Sequence, residues 1–373
     1  MKKIAFVDNT LWGLLNFRGD VIKVLHKDGN KITLIAPFDS NISLKEYQGI
    51  KYIPIKLSRK GKNIFQEIKY LFSLYKIYKE EKFDLIFHYT IKPNIYGNIA
   101  AKLNKIESIS IIPGLGHLFI KESIITKIAE RLYKFALNFS KEVWFLNNDD
   151  KELFIKRKLV DRKKVKILPG EGINLEKFYP IRKKRRDNKI IFLMVARVLW
   201  EKGFKEYTEA AEFLKKKYSN LEFQLLGMID ENNPSGVEKE IIENYHKKGI
   251  INYLGTSNNV REIIANCDCL VLPSFYREGI PRTLMEGAAM EKPLITTNIQ
   301  GCKEVVEDNY NGYLCEAKNS RDLIDKIESF ILLSKEEKEK LGKNGREKML
   351  KKFSVNIIIE KYKVLMRKEI KWN

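Results

Sequence analysis

What most constrains this chain is an alternation of short apolar runs and longer amphipathic ones that stops near residue 180 and then begins again. Lys3–Val7, Lys31–Pro37, Lys51–Leu57, Phe83–His88, Ser108–Ile112 and Glu142–Asn147 have the composition of buried strands. Between them, Phe17–Asp28, residues 63–81, Asn94–Leu103 behind Pro93, and residues 123–139 have helical periodicity. Ile64, Phe65, Ile68, Leu71, Phe72 and Leu74 mark one apolar face of the second of these. Repeated strand–helix units predict an α/β chain with parallel, doubly wound sheets. Pro180 and the basic run Arg182–Arg186 read as a linker. Beyond it come Lys189–Val195, a helix over 204–217, Leu221–Leu226, a helix over 237–248, the apolar runs Ile251–Leu254, Val260–Asn266 and Cys269–Pro273, a helix after Pro281, and Pro293–Thr296. The expected organisation is a domain over 1–180, a second over 181–352, and a basic terminal helix within 353–373 packing back on the first. Two similar α/β halves then face each other across a cleft.

A chain of 373 residues is long enough for two cores. Its net charge of +21 is uneven: residues 1–180 hold 33 Lys/Arg against 19 Asp/Glu. Such a half is attracted to phosphates, whether on nucleic acid, an anionic lipid or a diphosphate-linked substrate. No apolar run approaches the roughly 18–20 residues that span a bilayer. Met1–Val7 is followed at once by Asp8 and Asn9, which suits a first buried strand better than a signal peptide. Cys267, Cys269, Cys302 and Cys315 have no metal-ligand spacing and are too few for a disulfide framework. These features predict a cytoplasmic protein.

The most specific stretch is Pro273-Ser-Phe-Tyr-Arg-Glu-Gly-Ile-Pro-Arg-Thr-Leu-Met-Glu286. A strand ends at Pro273, a polar glycine-containing loop follows, and a helix begins after Pro281. In open α/β sheets, ligands lie beyond the carboxyl ends of the strands. Glu278 falls at the loop tip and Glu286 on the helix. The Gly279–Ile280 backbone is placed to hold phosphate oxygens, and a carboxylate on the helix suits the two hydroxyls of a ribose.

This pattern resembles the Glu-x7-Glu signature of the retaining family 4 glycosyltransferases, which have the two-domain GT-B fold. Val195-Ala-Arg-Val-Leu-Trp-Glu-Lys-Gly203 is similar to the family segment that grips the donor diphosphate. The resemblance gives Arg197 and Lys202 that role, catalytic as well as donor-binding, since two fixed cations counter the leaving group's charge. It places Glu278 beside the donor sugar as a catalytic residue, the Gly279, Ile280 and Pro281 backbone near the diphosphate, Glu286 on the ribose, and Gly227, in Gln224-Leu-Leu-Gly227, near the base. Pro169–Phe178, Ala289–Thr297 and Gly301–Val306 also follow the family pattern.

In the first half, Thr10–Arg18 occupies the position of the family's acceptor-side loop. His88–Gly97 and Pro113–His117 resemble the subgroup that builds capsule, O-antigen and lipid-linked oligosaccharides. Gly13, Asn16, Arg18, Lys92 and Asn94 are the implied acceptor-binding residues. His117 is the implied catalytic histidine, with His88 a second candidate; His26 and His246 look like surface helix residues. The resemblance implies a hexosyltransferase that retains anomeric configuration. It moves a sugar, an N-acetylhexosamine with N-acetylgalactosamine as one candidate, from a UDP-sugar to a polyprenyl-diphosphate-linked saccharide. It needs no metal or cofactor, and works peripherally at the anionic inner face of the cytoplasmic membrane. A UDP-N-acetylglucosamine 2-epimerase shares the architecture, but has a poorer match in four histidines and this signature. A nucleic-acid-binding protein shares the charge, yet no recognised binding motif is present.

Overall fold

The computed structural model describes residues 1–40, 42–57, 63–115, 124–181, 188–231, 233–277 and 279–368. The chain forms two units, one of Met1–Gly172 with Val355–Asn373 and the other of Ile173–Ser354.

The first unit contains β1 (Lys3–Val7), α1 (Leu11–Lys27), β2 (Lys31–Ala36), β3 (Lys51–Pro54), α2 (Ile64–Glu81), β4 (Leu85–Tyr89), α3 (Asn98–Leu103), β5 (Glu107–Ile112), α4 (Ile124–Leu137), β6 (Glu142–Phe145), α5 (Asn148–Lys156) and β7 (Val165–Ile167). Among the described residues, these strands form one parallel sheet in the order β3-β2-β1-β4-β5-β6-β7. Ile4, Ala5, Phe6 and Val7 are all buried, as a strand covered by helices on both faces requires. Helix α1 begins six residues earlier than its periodicity suggests. Thr10 caps it, with Oγ1 accepting from the Gly13 amide at 2.8 Å. Ahead of α3, Pro93–Gly97 is a π-helical turn rather than regular helix.

The second unit contains β8 (Ile190–Val195), α6 (Phe204–Lys217), β9 (Leu221–Leu226), α7 (Lys239–Lys247), β10 (Asn252–Tyr253), α8 (Val260–Asn266), β11 (Cys269–Leu272), α9 (Arg282–Ala289), β12 (Leu294–Thr297), α10 (Cys302–Val305), β13 (Gly312–Cys315), α11 (Ser320–Leu332) and α12 (Lys335–Lys348). Its described strands are parallel in the order β10-β9-β8-β11-β12-β13. The apolar run Val260–Asn266 is helical. The four cysteines are buried free thiols.

The units divide at Gly172 rather than at 180. Ile173 and Phe178 are buried in the second unit's core, and the Ile173 amide donates to Phe353 O at 2.8 Å. Pro180 therefore falls inside the second unit rather than at a boundary, and Arg182–Arg186 lie outside the described residues. The last helix, α13 (Val355–Lys368), belongs to the first unit. Its Tyr362 hydroxyl bonds the Tyr89 hydroxyl at 2.7 Å, and the Tyr362 ring packs on Phe87 and Trp144. Among the described residues, no helix is long and apolar enough to cross a membrane.

Candidate active site

Each sheet reverses its strand order beside its first strand, between β1 and β4 in one unit and between β8 and β11 in the other. Crevices for ligands open at the carboxyl ends of such strands.

In the second unit, Arg197 follows β8 with its side chain 46% exposed and Nη1 3.8 Å from Asp230 Oδ2. Lys202 closes the short turn that leads into α6. Its Nζ lies 4.7 Å from the centre of the Tyr276 ring, a cation–π contact that aims the ammonium along the loop after β11. That loop is tied to the turn: the amides of Phe275 and Tyr276 donate to Glu201 O at 2.9 and 3.0 Å, and Ser274 Oγ donates to the same carbonyl at 3.3 Å. Thr297 Oγ1 donates to Ser274 O from below. The two segments expected to meet the diphosphate thus form one hydrogen-bonded body.

Gly227 sits where β8 and β9 end side by side. A Cβ there would lie 1.7 Å from Ala196 O, so only glycine fits. The Tyr253 hydroxyl donates to Gly227 O at 2.9 Å. Gly279 and Ile280 are half-buried, and Pro281 is the buried N-cap residue of α9. Glu286 is 8% exposed, with Oε1 accepting from Arg282 Nε at 2.9 Å. Burial pushes its carboxyl pKa up, against the opposing charges of Arg282 and, more weakly, Lys177. Glu278 and His117 lie outside the described residues.

In the first unit, Asp8 closes β1 and is 1% exposed. Gly13 is required beneath it, since a Cβ would lie 2.7 Å from Thr10 Oγ1 and 3.3 Å from Asp8 Oδ2. Arg18, expected at an acceptor, is instead 3% exposed. Its Nη2 donates to Glu171 Oε1 at 2.5 Å and its Nη1 lies 3.4 Å from Asp8 Oδ2, with the guanidinium 4.3 Å from the Tyr89 ring centre. Burial alone would lower its pKa, but the Glu171 and Asp8 carboxylates outweigh that and raise it. The buried carboxyl of Asp8 is raised by desolvation, with Arg18 opposing.

Lys92 pairs with Glu67 of α2. Asn94 is also buried rather than surface-facing; its Nδ2 donates to Ile111 O at 2.8 Å while Oδ1 has no partner. Asn16 is half-buried on α1. Thr90 and Lys92 are thus half-buried just beyond β4, whereas Gly13, Arg18 and Asn94 are buried.

His88 is a core residue. Its Nδ1 donates to Asn98 Oδ1 at 2.9 Å and its Nε2 accepts from the Tyr78 hydroxyl at 3.0 Å, which fixes the neutral form. Desolvation lowers its pKa to about 3. His246 is exposed and His26 half-buried. Residues not anticipated from sequence are Asp8, Glu67 and Glu171 in the first unit, and Asp230, Tyr276 and Arg282 in the second. Of these, Arg282 was the most accessible, standing one helical turn before Glu286.

Comparison with known proteins gives the family. Residues 177–348 match the family Glycosyl transferases group 1, and residues 3–147 match Glycosyl transferase 4-like. The chain is 33% identical over 385 residues, 99% of each chain, to N,N'-diacetylbacillosaminyl-diphospho-undecaprenol alpha-1,3-N-acetylgalactosaminyltransferase of Campylobacter jejuni. It is 29% identical over 323 residues, 81% of this chain and 80% of the other, to UDP-Gal:alpha-D-GlcNAc-diphosphoundecaprenol alpha-1,3-galactosyltransferase of Escherichia coli. A crystal structure of a glycosyltransferase from Rickettsia africae ESF-5 superposes with a TM-score of 0.82 at 21% identity, covering 100% of this chain and 99% of that one. The chain belongs to the group 1 glycosyltransferases, and its two parallel-sheet units are those of the GT-B fold.

Proposed function

We propose that this glycosyltransferase moves N-acetylgalactosamine from UDP-N-acetylgalactosamine to a polyprenyl-diphosphate-linked saccharide, with retention at the anomeric carbon. The observation that carries the reading is the second unit's crevice, where exposed Arg197 and half-buried Lys202 follow β8 and a buried carboxylate, Glu286, stands on the helix after β11. A nucleoside diphosphate has the matching chemistry: two phosphates for the cations and a ribose diol for the carboxylate. The choice of acceptor is supported by the Campylobacter and Escherichia relatives, whose names specify undecaprenyl-diphosphate-linked acceptors, and the choice of sugar by the Campylobacter relative alone, since the Escherichia one is named a galactosyltransferase.

In this mechanism Arg197 and Lys202 neutralise the diphosphate as the anomeric C–O bond breaks. The acceptor hydroxyl attacks from the same face, and its proton passes to the departing diphosphate oxygen. Glu278 and the Gly279–Pro281 backbone hold the donor sugar and diphosphate, Gly227 borders the base, and His117 assists on the acceptor side. Gly13, Asn16 and Lys92 border the acceptor. Two fixed cations supply the countercharge, so transfer proceeds without a metal.

The acceptor's lipid tail requires access to a bilayer. Helix α2 buries Tyr70, Leu74 and Tyr78 on one side yet leaves Ile64, Phe65, Ile68 and Phe72 exposed on the other. With the basic charge of residues 1–180, that face suits peripheral docking on the anionic inner leaflet of the cytoplasmic membrane, and we assign the charge to lipid headgroups rather than nucleic acid.

The test is a donor panel against a purified short-chain polyprenyl-diphosphate acceptor in EDTA, with the product's anomeric configuration read by NMR. An α-linked N-acetylgalactosamine product supports the reading. A β-linked product overturns retention, and turnover restored only by added metal overturns the two-cation mechanism.

A further inference from the structure

Helix α9 carries an ion pair, Arg282 Nε to Glu286 Oε1 at 2.9 Å, that differs from the ordinary pairing of residues one turn apart. Exposed pairs of that kind contribute little. Here the side chains are only 13% and 11% exposed. A buried carboxylate without a partner tends to take up a proton, and a protonated carboxyl loses part of its capacity to accept hydrogen bonds. The helix also starts at the loop that closes the β8–β11 crevice, so the pair sits within the second unit's ligand site.

We propose that Arg282 is a positioning residue for the donor nucleotide, its guanidinium holding the Glu286 carboxylate in the orientation that accepts the ribose diol. This rests on the reading of Glu286 as the ribose acceptor. The charged groups opposing Glu286's burial are Arg282 on its own helix and the exposed Lys177, beside the buried Phe178. Of the elements packed on α9, α12 brings Arg346, which is taken up by the carbonyls of Ala289 and Phe178. Helix α10 carries Lys303 and Glu304, the turn Met349–Phe353 carries Lys351 and Lys352, and β11 carries the buried thiol of Cys269. Arg282 is the one bonded directly to the carboxylate, and its removal shifts Glu286 toward the protonated form.

The experiment compares UDP with 2′-deoxy-UDP by calorimetry on the full-length protein and its Arg282→Ala, Arg282→Lys and Glu286→Gln variants, each checked for folding by thermal melting. Arg282→Ala is expected to bind UDP about tenfold more weakly, the effect of losing roughly one hydrogen bond to a charged group. Most of the preference for ribose over deoxyribose should vanish with it. The loss should be larger at about pH 6 than at about pH 8, because protonation of the freed carboxyl grows as pH falls. Arg282→Lys should recover part of both. An equal loss for UDP and 2′-deoxy-UDP in Arg282→Ala would overturn the inference, because the guanidinium would then be contacting phosphate. So would an unchanged affinity, if Glu286→Gln is impaired. If Glu286→Gln binds both nucleotides like the parent protein, the ribose reading itself fails, and this inference with it.

Discussion

Gly203 packs against Pro273 so closely that a Cβ at 203 would lie 2.1 Å from the Pro273 carbonyl oxygen, and Gly203 itself has φ +84°. This contact joins the turn bearing Lys202 to the loop bearing Tyr276. Gly203→Ala should therefore cost about 1–2 kcal/mol from the left-handed backbone alone, with the clash added. A lower melting temperature with weakened UDP binding is the expected outcome. Unchanged UDP affinity would show that the diphosphate does not depend on this junction.

The two cations give the sharpest kinetic prediction. Arg197→Ala and Lys202→Ala should each lower kcat about 10²–10³-fold, the usual effect of removing a positioned electrostatic stabiliser. Arg197 is nearly half exposed and pairs only loosely with Asp230, so folding should be unaffected. Steady-state kinetics with saturating donor, alongside melting curves, separates the two effects.

Arg18 lies between two buried carboxylates. Arg18→Ala leaves Asp8 and Glu171 without their shared countercharge, and breaking such a pair costs about 3–5 kcal/mol. Chemical denaturation should show the loss. Glu171→Gln added to Arg18→Met should restore part of it, because fewer buried charges then stand alone.

His88 makes the first unit sensitive to acid. Its folded-state pKa, about 3, is below the ordinary 6.5, so the unfolded chain binds the extra proton between those values. The neutral ring's contribution to stability is complete above about pH 6.5 and falls by up to about 1.4 kcal/mol per pH unit below it. Melting temperatures across that window should drop more steeply in the parent protein than in a His88→Gln variant that still folds.

Membrane docking should depend on the outer face of α2. Phe65→Ser with Ile68→Ser removes apolar surface that is already exposed, so stability should change little while binding to anionic vesicles weakens. Added salt should weaken binding in both proteins, as lipid-headgroup attraction is screened. Vesicle sedimentation reads both effects.

The buried strands were legible because parallel strands covered on both faces must be continuously apolar, as in Phe192-Leu-Met-Val195 and Cys269–Leu272. The start of α1 is hard to see in sequence because its first turn contains Gly13, whose amide serves the Thr10 cap, and so carries little helical periodicity. Strand β7 is three residues and half-exposed, with too little apolar signal to find. The Glu286 site was legible through local spacing. Arg18 was not, since its partner Glu171 is 153 residues away and nothing near Arg18 marks it as buried. Likewise the apolar residues of α2 form two faces, and only tertiary packing separates the Tyr70-Leu74-Tyr78 face from that of Phe65 and Ile68.

The central claim is that a UDP-sugar held by the second unit is transferred to a lipid-linked acceptor. Its most direct test is to incubate the purified protein with bacterial membranes and radiolabelled UDP-sugars, then count label in the organic-solvent extract. The account predicts label in the lipid fraction from UDP-N-acetylgalactosamine and its loss with Arg197→Ala. Label that stays in the aqueous phase for every donor, while UDP binds the protein tightly, would contradict it.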